Sequence, residues 1–129
     1  MNNNFSAYML ADQPLRAGAD MLAITIRLPW YRSLPISTVR VAELKVDGKD
    51  ALREHIELEV NGQRRALDAC AELINEQWYV LDDGTLHVKV PGLADASHHL
   101  IDFTLNLHPP YMPGFTWVTH SSKRLKAGR

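Results

Sequence analysis

The stretch Leu22-Ala23-Ile24-Thr25-Ile26-Arg27-Leu28 decides the fold class. Leu22, Ile24, Ile26 and Leu28 alternate with Ala23, Thr25 and Arg27, and a period of two puts the four apolar side chains on one face of a half-buried strand. Pro29 lacks the N–H a ladder needs and ends the strand. Trp30-Tyr31-Arg32-Ser33-Leu34-Pro35 follows as an aromatic loop bracketed by prolines.

The same alternation recurs along the chain. Ile101, Phe103, Leu105 and Leu107 alternate with Asp102, Thr104 and Asn106 in the longest predicted strand. Leu86, Val88 and Val90 alternate with Thr85, His87 and Lys89, and Ile56, Leu58 and Val60 alternate with Glu57 and Glu59. Between Val39 and Val46 the apolar positions move from Val39 and Val41 to Leu44 and Val46, a change of phase that predicts a bulge near Ala42-Glu43. Asp47-Gly48 and Asn61-Gly62 are hairpin turn signals, with Arg64 to Leu67 as a return strand. Asp82-Asp83-Gly84 and Pro91-Gly92 are read as turns and Ala94-Asp95-Ala96-Ser97 as a polar loop. Trp78 to Leu81 reads as extended, and residues 68–77 admit one short helical turn.

About six to eight short strands with at most one short helix imply an all-β antiparallel β-sandwich of immunoglobulin-like or fibronectin-like topology. It is read as one domain over residues 1–120. Lys123, Arg124, Lys126 and Arg129 make residues 121–129 a basic, flexible C-terminal tail in this reading.

Composition narrows the function. A formal charge of −1, from 14 Lys and Arg against 15 Asp and Glu, supplies no net field for phosphate backbones or anionic lipid, so neither nucleic acid nor membrane is an expected partner. One cysteine, Cys70, precludes an intramolecular disulfide and fits a reducing cytoplasm. The polar start Met1-Asn2-Asn3-Asn4-Phe5 lacks the blocks of a signal peptide, and no apolar run approaches the roughly 20 residues that span a bilayer.

Signatures of catalysis are missing. There is no Gly-rich phosphate loop, nucleophile elbow or HExxH motif. Cys70, among Ala69, Ala71 and Leu73, reads as a buried inert thiol. His98 and His99 are adjacent and would point to opposite faces of a strand, while His87 reads as one half of a cross-strand pair, so no metal site is expected from this chain alone. Asp82-Asp83 is explained by turn geometry and Glu57 and Glu59 by solvation of a strand face.

The unusual feature is where aromatics and prolines collect. Trp30-Tyr31-Arg32 and Pro35 follow one strand, and Pro109-Pro110-Tyr111-Met112-Pro113-Gly114-Phe115-Thr116-Trp117 follow another. Aromatics, Met and Arg favour protein interfaces and ligand rims, because they give large contact area at low entropic cost. The competing explanation is that the rings simply cap the sandwich.

At these residues the sequence resembles the small β subunit of bacterial C-glycoside deglycosidases. The run Ile26-Arg27-Leu28-Pro29-Trp30-Tyr31-Arg32-Ser33-Leu34-Pro35-Ile36-Ser37, followed by Leu44-Lys45-Val46-Asp47-Gly48, is similar to that family's strand ending in Tyr-Arg-Gly-Leu-Pro-Leu-Ser and its next strand ending in Val-Asp-Gly. Trp78-Tyr79, Gly92-Leu93 and Tyr111-Met112-Pro113 continue the resemblance in order, over roughly residues 10–115. Ser33 departs from the family's Gly, and His108-Pro109-Pro110 from its Arg-containing strand.

The resemblance implies a hetero-oligomer. Its catalytic α subunit is a xylose-isomerase-like barrel carrying a divalent metal, usually taken to be Mn2+, and no cofactor is implied for the small chain. The implied substrates are 3-oxo-C-glucosides of flavonoid type, whose C–C glycosidic bond is cleaved by elimination. This chain would then be a non-catalytic subunit of a C–C lyase that stabilises the α subunit and closes one wall of the pocket. Trp30, Tyr31, Arg32, Pro35, Tyr111, Met112 and Pro113 are its expected subunit-interface or pocket-rim residues. Two other readings stay open: a stand-alone carbohydrate-binding module, with Trp30, Tyr31 and Trp117 stacking on sugar rings, and a homo-oligomeric structural protein.

Overall fold

The computed structural model describes residues 5–18, 20–91 and 96–128. The Gly92-Leu93 turn, loop residues Ala94 and Asp95, the first four residues and Arg129 lie outside the described residues. In chain order the elements are α1 (Ser6–Met9), β1 (Leu15–Gly18), β2 (Met21–Arg27), β3 (Leu34–Pro35), β4 (Val39–Val46), β5 (Lys49–Asp50), β6 (Ile56–Val60), β7 (Gln63–Ala66), α2 (Leu67–Cys70), β8 (Gln77–Trp78), β9 (Asp83–Lys89), β10 (His98–Leu107) and β11 (Trp117–Gly128). Short 3-10 turns cover Ile36–Thr38 and Arg53–His55.

Nine strands hydrogen-bond in the order β5-β4-β10-β11-β1-β2-β9-β6-β7, while β3 and β8 form a separate pair. Every pairing is antiparallel except β1 with β11, where Leu15 sits opposite Ala127 and Arg16 opposite Gly128. That parallel seam joins two half-sheets. β1-β2-β9-β6 hold the positions of one immunoglobulin sheet and β4-β10-β11 those of the other, giving the expected sandwich-like, all-β architecture. The inward faces meet in one core: Leu22, Ile24, Ile26, Leu58, Leu86 and Val88 from one half, Leu44, Val46, Phe103, Leu105 and Leu107 from the other. The alternation seen in the sequence is the alternation of burial.

The turns follow their chemistry. Asp47 and Gly48 take φ of 53° and 82°, and Asn61 and Gly62 take 58° and 75°, values that Asp, Asn and Gly tolerate better than other residues. The bulge lies where the phase change put it: Glu43 pairs with Thr104 and Val41 with Leu105, leaving Ala42 as the extra residue. One helical turn, α2, overlaps the start of the predicted segment but begins one residue earlier, at Leu67, and a second, α1, was not expected.

Two readings need correction. Residues 121–129 are not a free tail: through Gly128 they continue β11, paired with β10 on one side and, at Ala127 and Gly128, with β1 on the other. Ser121 and Leu125 are buried, and Lys123 Nζ donates to Ala7 O at 2.7 Å, Leu10 O at 2.7 Å and Asp12 Oδ1 at 3.0 Å. These bonds fasten the N-terminal segment, in which Met9 and Leu10 are fully buried, over the sheet. Likewise Asp83 and Gly84 are not turn residues but the start of β9, opposite Arg27 and Ile26. Gly84 is required for a different reason, since a Cβ there would stand 2.8 Å from Trp78 Cζ2.

Other side chains settle as read. His87 Nε2 pairs with Glu59 Oε1 at 2.7 Å and Arg64 with Glu57 at 2.8 Å on the outer face. Cys70 is buried, and that burial pushes its thiol pKa up.

Candidate functional site

The topology brings two aromatic loops to one end. Leu107, the last residue of β10, lies between Val39 of β4 and Trp117 of β11, and His108 N–H donates to Thr38 O at 2.9 Å. Residues 28–38, which leave β2 and enter β4, therefore neighbour residues 108–116, which connect β10 to β11. In immunoglobulin folds the corresponding loops share an end of the sandwich and commonly carry binding residues.

The cluster has a buried base and an exposed top. Trp30 is 7% exposed, its ring edge-on to Trp117 at 5.5 Å and tilted towards Phe115 at 6.5 Å, while Phe115 stacks on Trp117 at 6.2 Å. These three rings cap the core, so the capping explanation holds for them. Tyr31 lies 4.9 Å from the Trp30 ring and is 64% exposed. Trp30 Nε1–H donates to Tyr111 Oη at 2.6 Å, and Arg32 Cζ sits 4.7 Å above the Tyr111 ring. Tyr31, Arg32 and Tyr111 thus form a polar aromatic surface fixed to an apolar floor.

The electrostatics converge on the same atoms. The Tyr111 hydroxyl, hydrogen-bonded to that of Tyr31, raises the Tyr31 pKa above its ordinary value together with partial desolvation, against the pull of Arg32. Tyr31 stays a neutral donor at physiological pH.

The remaining predicted site residues are placed differently. Met112 is half-buried against the core, its N–H bonded to Pro109 O at 3.0 Å, and Pro113 is exposed in the same loop. Pro35 belongs to the β3–β8 pair, opposite Gln77, with its carbonyl accepting from Thr38 Oγ1 at 2.7 Å. It shapes the loop rather than joining the Tyr31 surface. Two contributors were missed: Phe115 as part of the floor, and the segment after β8. Val80 N–H donates to Ser33 Oγ at 2.9 Å, bringing the residues flanking Val80, exposed Tyr79 and Leu81, towards the first loop.

At the opposite end His99 is buried, its Nδ1 2.7 Å from Asp47 Oδ2, while Asp47 Oδ1 accepts from Leu100 N–H at 2.8 Å. Partial desolvation opposes ionisation of Asp47, but the bonds from His99 and Leu100 outweigh it and hold the carboxyl below its usual range. This clamp anchors the Asp47-Gly48 turn to β10. The adjacency of His98 and His99 signalled opposite faces, yet gave no sign of the Asp47 partner 52 residues away. Among the described residues no three His, Cys, Asp or Glu side chains converge to hold a metal ion. No helix among them is long and apolar enough to cross a membrane.

Comparison with known families bears on what this surface is for. A family model described as "C-glycoside deglycosidase beta subunit" matches residues 19–111, a span that contains Trp30, Tyr31, Arg32, Pro35 and Tyr111. The chain belongs to the C-glycoside deglycosidase beta subunit family. It is 36% identical over 110 residues to a 3'-dehydrocarminate deglycosidase beta subunit of Microbacterium sp, covering 84% of this chain and 82% of the relative. It is 38% identical over 98 residues to a C-glycoside deglycosidase beta subunit of Microbacterium trichothecenolyticum, covering 76% and 74%. A beta subunit of Arthrobacter globiformis is 29% identical over 109 residues, covering 81% and 83%. Met112, Pro113, Phe115 and Trp117 lie beyond the family match, so the family segment holds the exposed face of the cluster and only part of its floor.

Proposed function

We propose that this chain is the small, non-catalytic subunit of a heteromeric C-glycoside deglycosidase and that it docks on the catalytic α subunit through the aromatic loop end. The observation that carries this reading is the exposed Tyr31–Arg32–Tyr111 surface on a floor of buried Trp30 and half-buried Phe115 and Trp117. Preorganised aromatic and Arg side chains on a rigid base are what interface hot spots are made of. Family membership supports a partner subunit, and one relative is named for a 3'-dehydro substrate.

In the proposed reaction a ketone at C3 of the sugar acidifies the C2 proton. A base removes that proton, the C2–H electron pair becomes the C1–C2 double bond, and the C1–aryl bond breaks with its pair on the aryl carbon, which takes up a proton. The aglycone leaves without water being consumed. In this reading the base, the acid and the divalent metal belong to the α subunit, a xylose-isomerase-like barrel. This chain stabilises that subunit and walls one side of the pocket, in the cytoplasm. The buried Cys70, whose thiol pKa is raised by desolvation, is not set up as a nucleophile, which supports that division. The stand-alone sugar-binding reading keeps only Tyr31 of its three stacking rings on the surface, because Trp30 is buried and Trp117 is half-buried against it.

Co-expression with the α subunit, size-exclusion chromatography, and assay of each protein alone and together on a 3-oxo-C-glucoside test the proposal. The two chains should co-elute, with full aglycone release only from the complex. An α subunit equally active and stable without this chain would refute it.

A further inference from the structure

Arg32 is set apart from the other described arginines by being stacked on an aromatic ring without a carboxylate partner. Arg27 lies 5.0 Å over the Tyr8 ring but faces Asp83 at 3.9 Å, whereas Arg32, like Arg16, Arg40 and Arg124, takes part in no ion pair among the described residues, and of those four it alone lies over a ring, that of Tyr111. Neither loop, 28–38 or 108–116, contains an Asp or a Glu. The neighbouring segment carries Asp82 and Asp83, and Asp83 faces Arg27 at 3.9 Å. His108, the other basic residue in the loops, has Nδ1 3.3 Å from Thr116 Oγ1. Arg32 nevertheless has a defined position, stacked over Tyr111 and against the Tyr31 hydroxyl.

The hydrogen bonding around it has a direction. An indole N–H can only donate, so Trp30 occupies one lone pair of Tyr111 Oη and fixes the ring on which Arg32 stacks. The guanidinium fork is left as a donor group beside two loops that carry no carboxylate of their own. Stacking has already restricted the guanidinium, which lowers the entropy lost on binding.

Resting on the docking reading above, we infer that Arg32 receives a carboxylate side chain presented by an acidic patch on the catalytic subunit. An arginine fork takes a carboxylate in bidentate geometry, and the surrounding rings exclude water from the pair.

The test is the affinity of this chain for the α subunit by titration calorimetry at low and high ionic strength. The probes are the wild type and the Arg32→Glu, Arg32→Gln and Tyr31→Ala variants. Both residues are exposed, so the variants should keep the wild-type melting temperature. Arg32→Glu should weaken association about 30-fold or more and Arg32→Gln about 10-fold, with the salt dependence of the wild type largely lost in both. If Tyr31→Ala weakens association while Arg32→Glu and salt do not, the acidic counter-surface is refuted and the docking reading survives. If none of the variants changes association, both fall.

Discussion

Removal of residues 121–129 is expected to leave a chain that does not fold. The cut deletes the six register pairs from His98–Lys126 to Phe103–Ser121 and both pairs to β1. It exposes the flank of β10 and removes Leu125 from the core, a loss of about 2–5 kcal/mol for the leucine alone by analogy with Leu-to-Ala substitutions. It also removes Lys123, whose bonds to Ala7, Leu10 and Asp12 hold the N-terminal segment in place. Domains of this size are stable by only about 5–15 kcal/mol, and each lost backbone hydrogen bond takes about 1 kcal/mol more. Far-UV circular dichroism and soluble yield should show an unfolded or aggregated product, since the bared β10 edge is itself a template for association. A truncated chain that keeps its sheet signal and melts within about 2 °C of the full chain would show that these residues are dispensable.

Trp78→Ala should be the most damaging of single core substitutions. Trp78 is fully buried, its Nε1–H donates to Asp82 O at 2.8 Å, and its ring occupies the space Gly84 leaves open. Deleting a buried Trp loses both transfer energy and packing around the cavity, about 3–5 kcal/mol, which lowers the melting temperature by roughly 10–20 °C in a chain of this length. Its neighbour supplies the control. Tyr79 is 56% exposed, and Tyr79→Ala should stay within about 0.5 kcal/mol of wild type in calorimetric unfolding. Equal losses at the two positions would contradict the packing described for β8.

The fold was legible where local pattern and tertiary burial agree. β2, β6, β9 and β10 bury one face made mainly of apolar side chains, so a period of two marks them, and Asp47-Gly48 and Asn61-Gly62 sit where their backbone requires such residues. β11 was not legible because its inward positions include Thr119, Ser121 and Lys123. Ser121 Oγ–H donates to Ser6 O and Lys123 bonds three oxygens of the N-terminal segment, partners more than 110 residues away that satisfy polar groups no local window can account for. Gly84 misled for a related reason: a glycine beside two aspartates looks like a turn, but here it admits an indole.

The candidate site was half legible. Trp30, Tyr31, Arg32 and Tyr111 were singled out from residue type and loop position, and the structure brings all four together. What the sequence could not do was divide them, because alternation stops at Pro29 and with it any signal of which ring faces inward. That division now separates Trp30, a capping residue, from Tyr31 and Arg32, which face outward.

Hydrogen exchange of this chain, free and in complex with the catalytic subunit, tests that orientation most directly. The docking account predicts slowed amide exchange at residues 30–33 and 110–117 on complex formation, with the 46–55 end unchanged. Slowing confined to residues 46–55, with the aromatic loops exchanging as in the free chain, would contradict it.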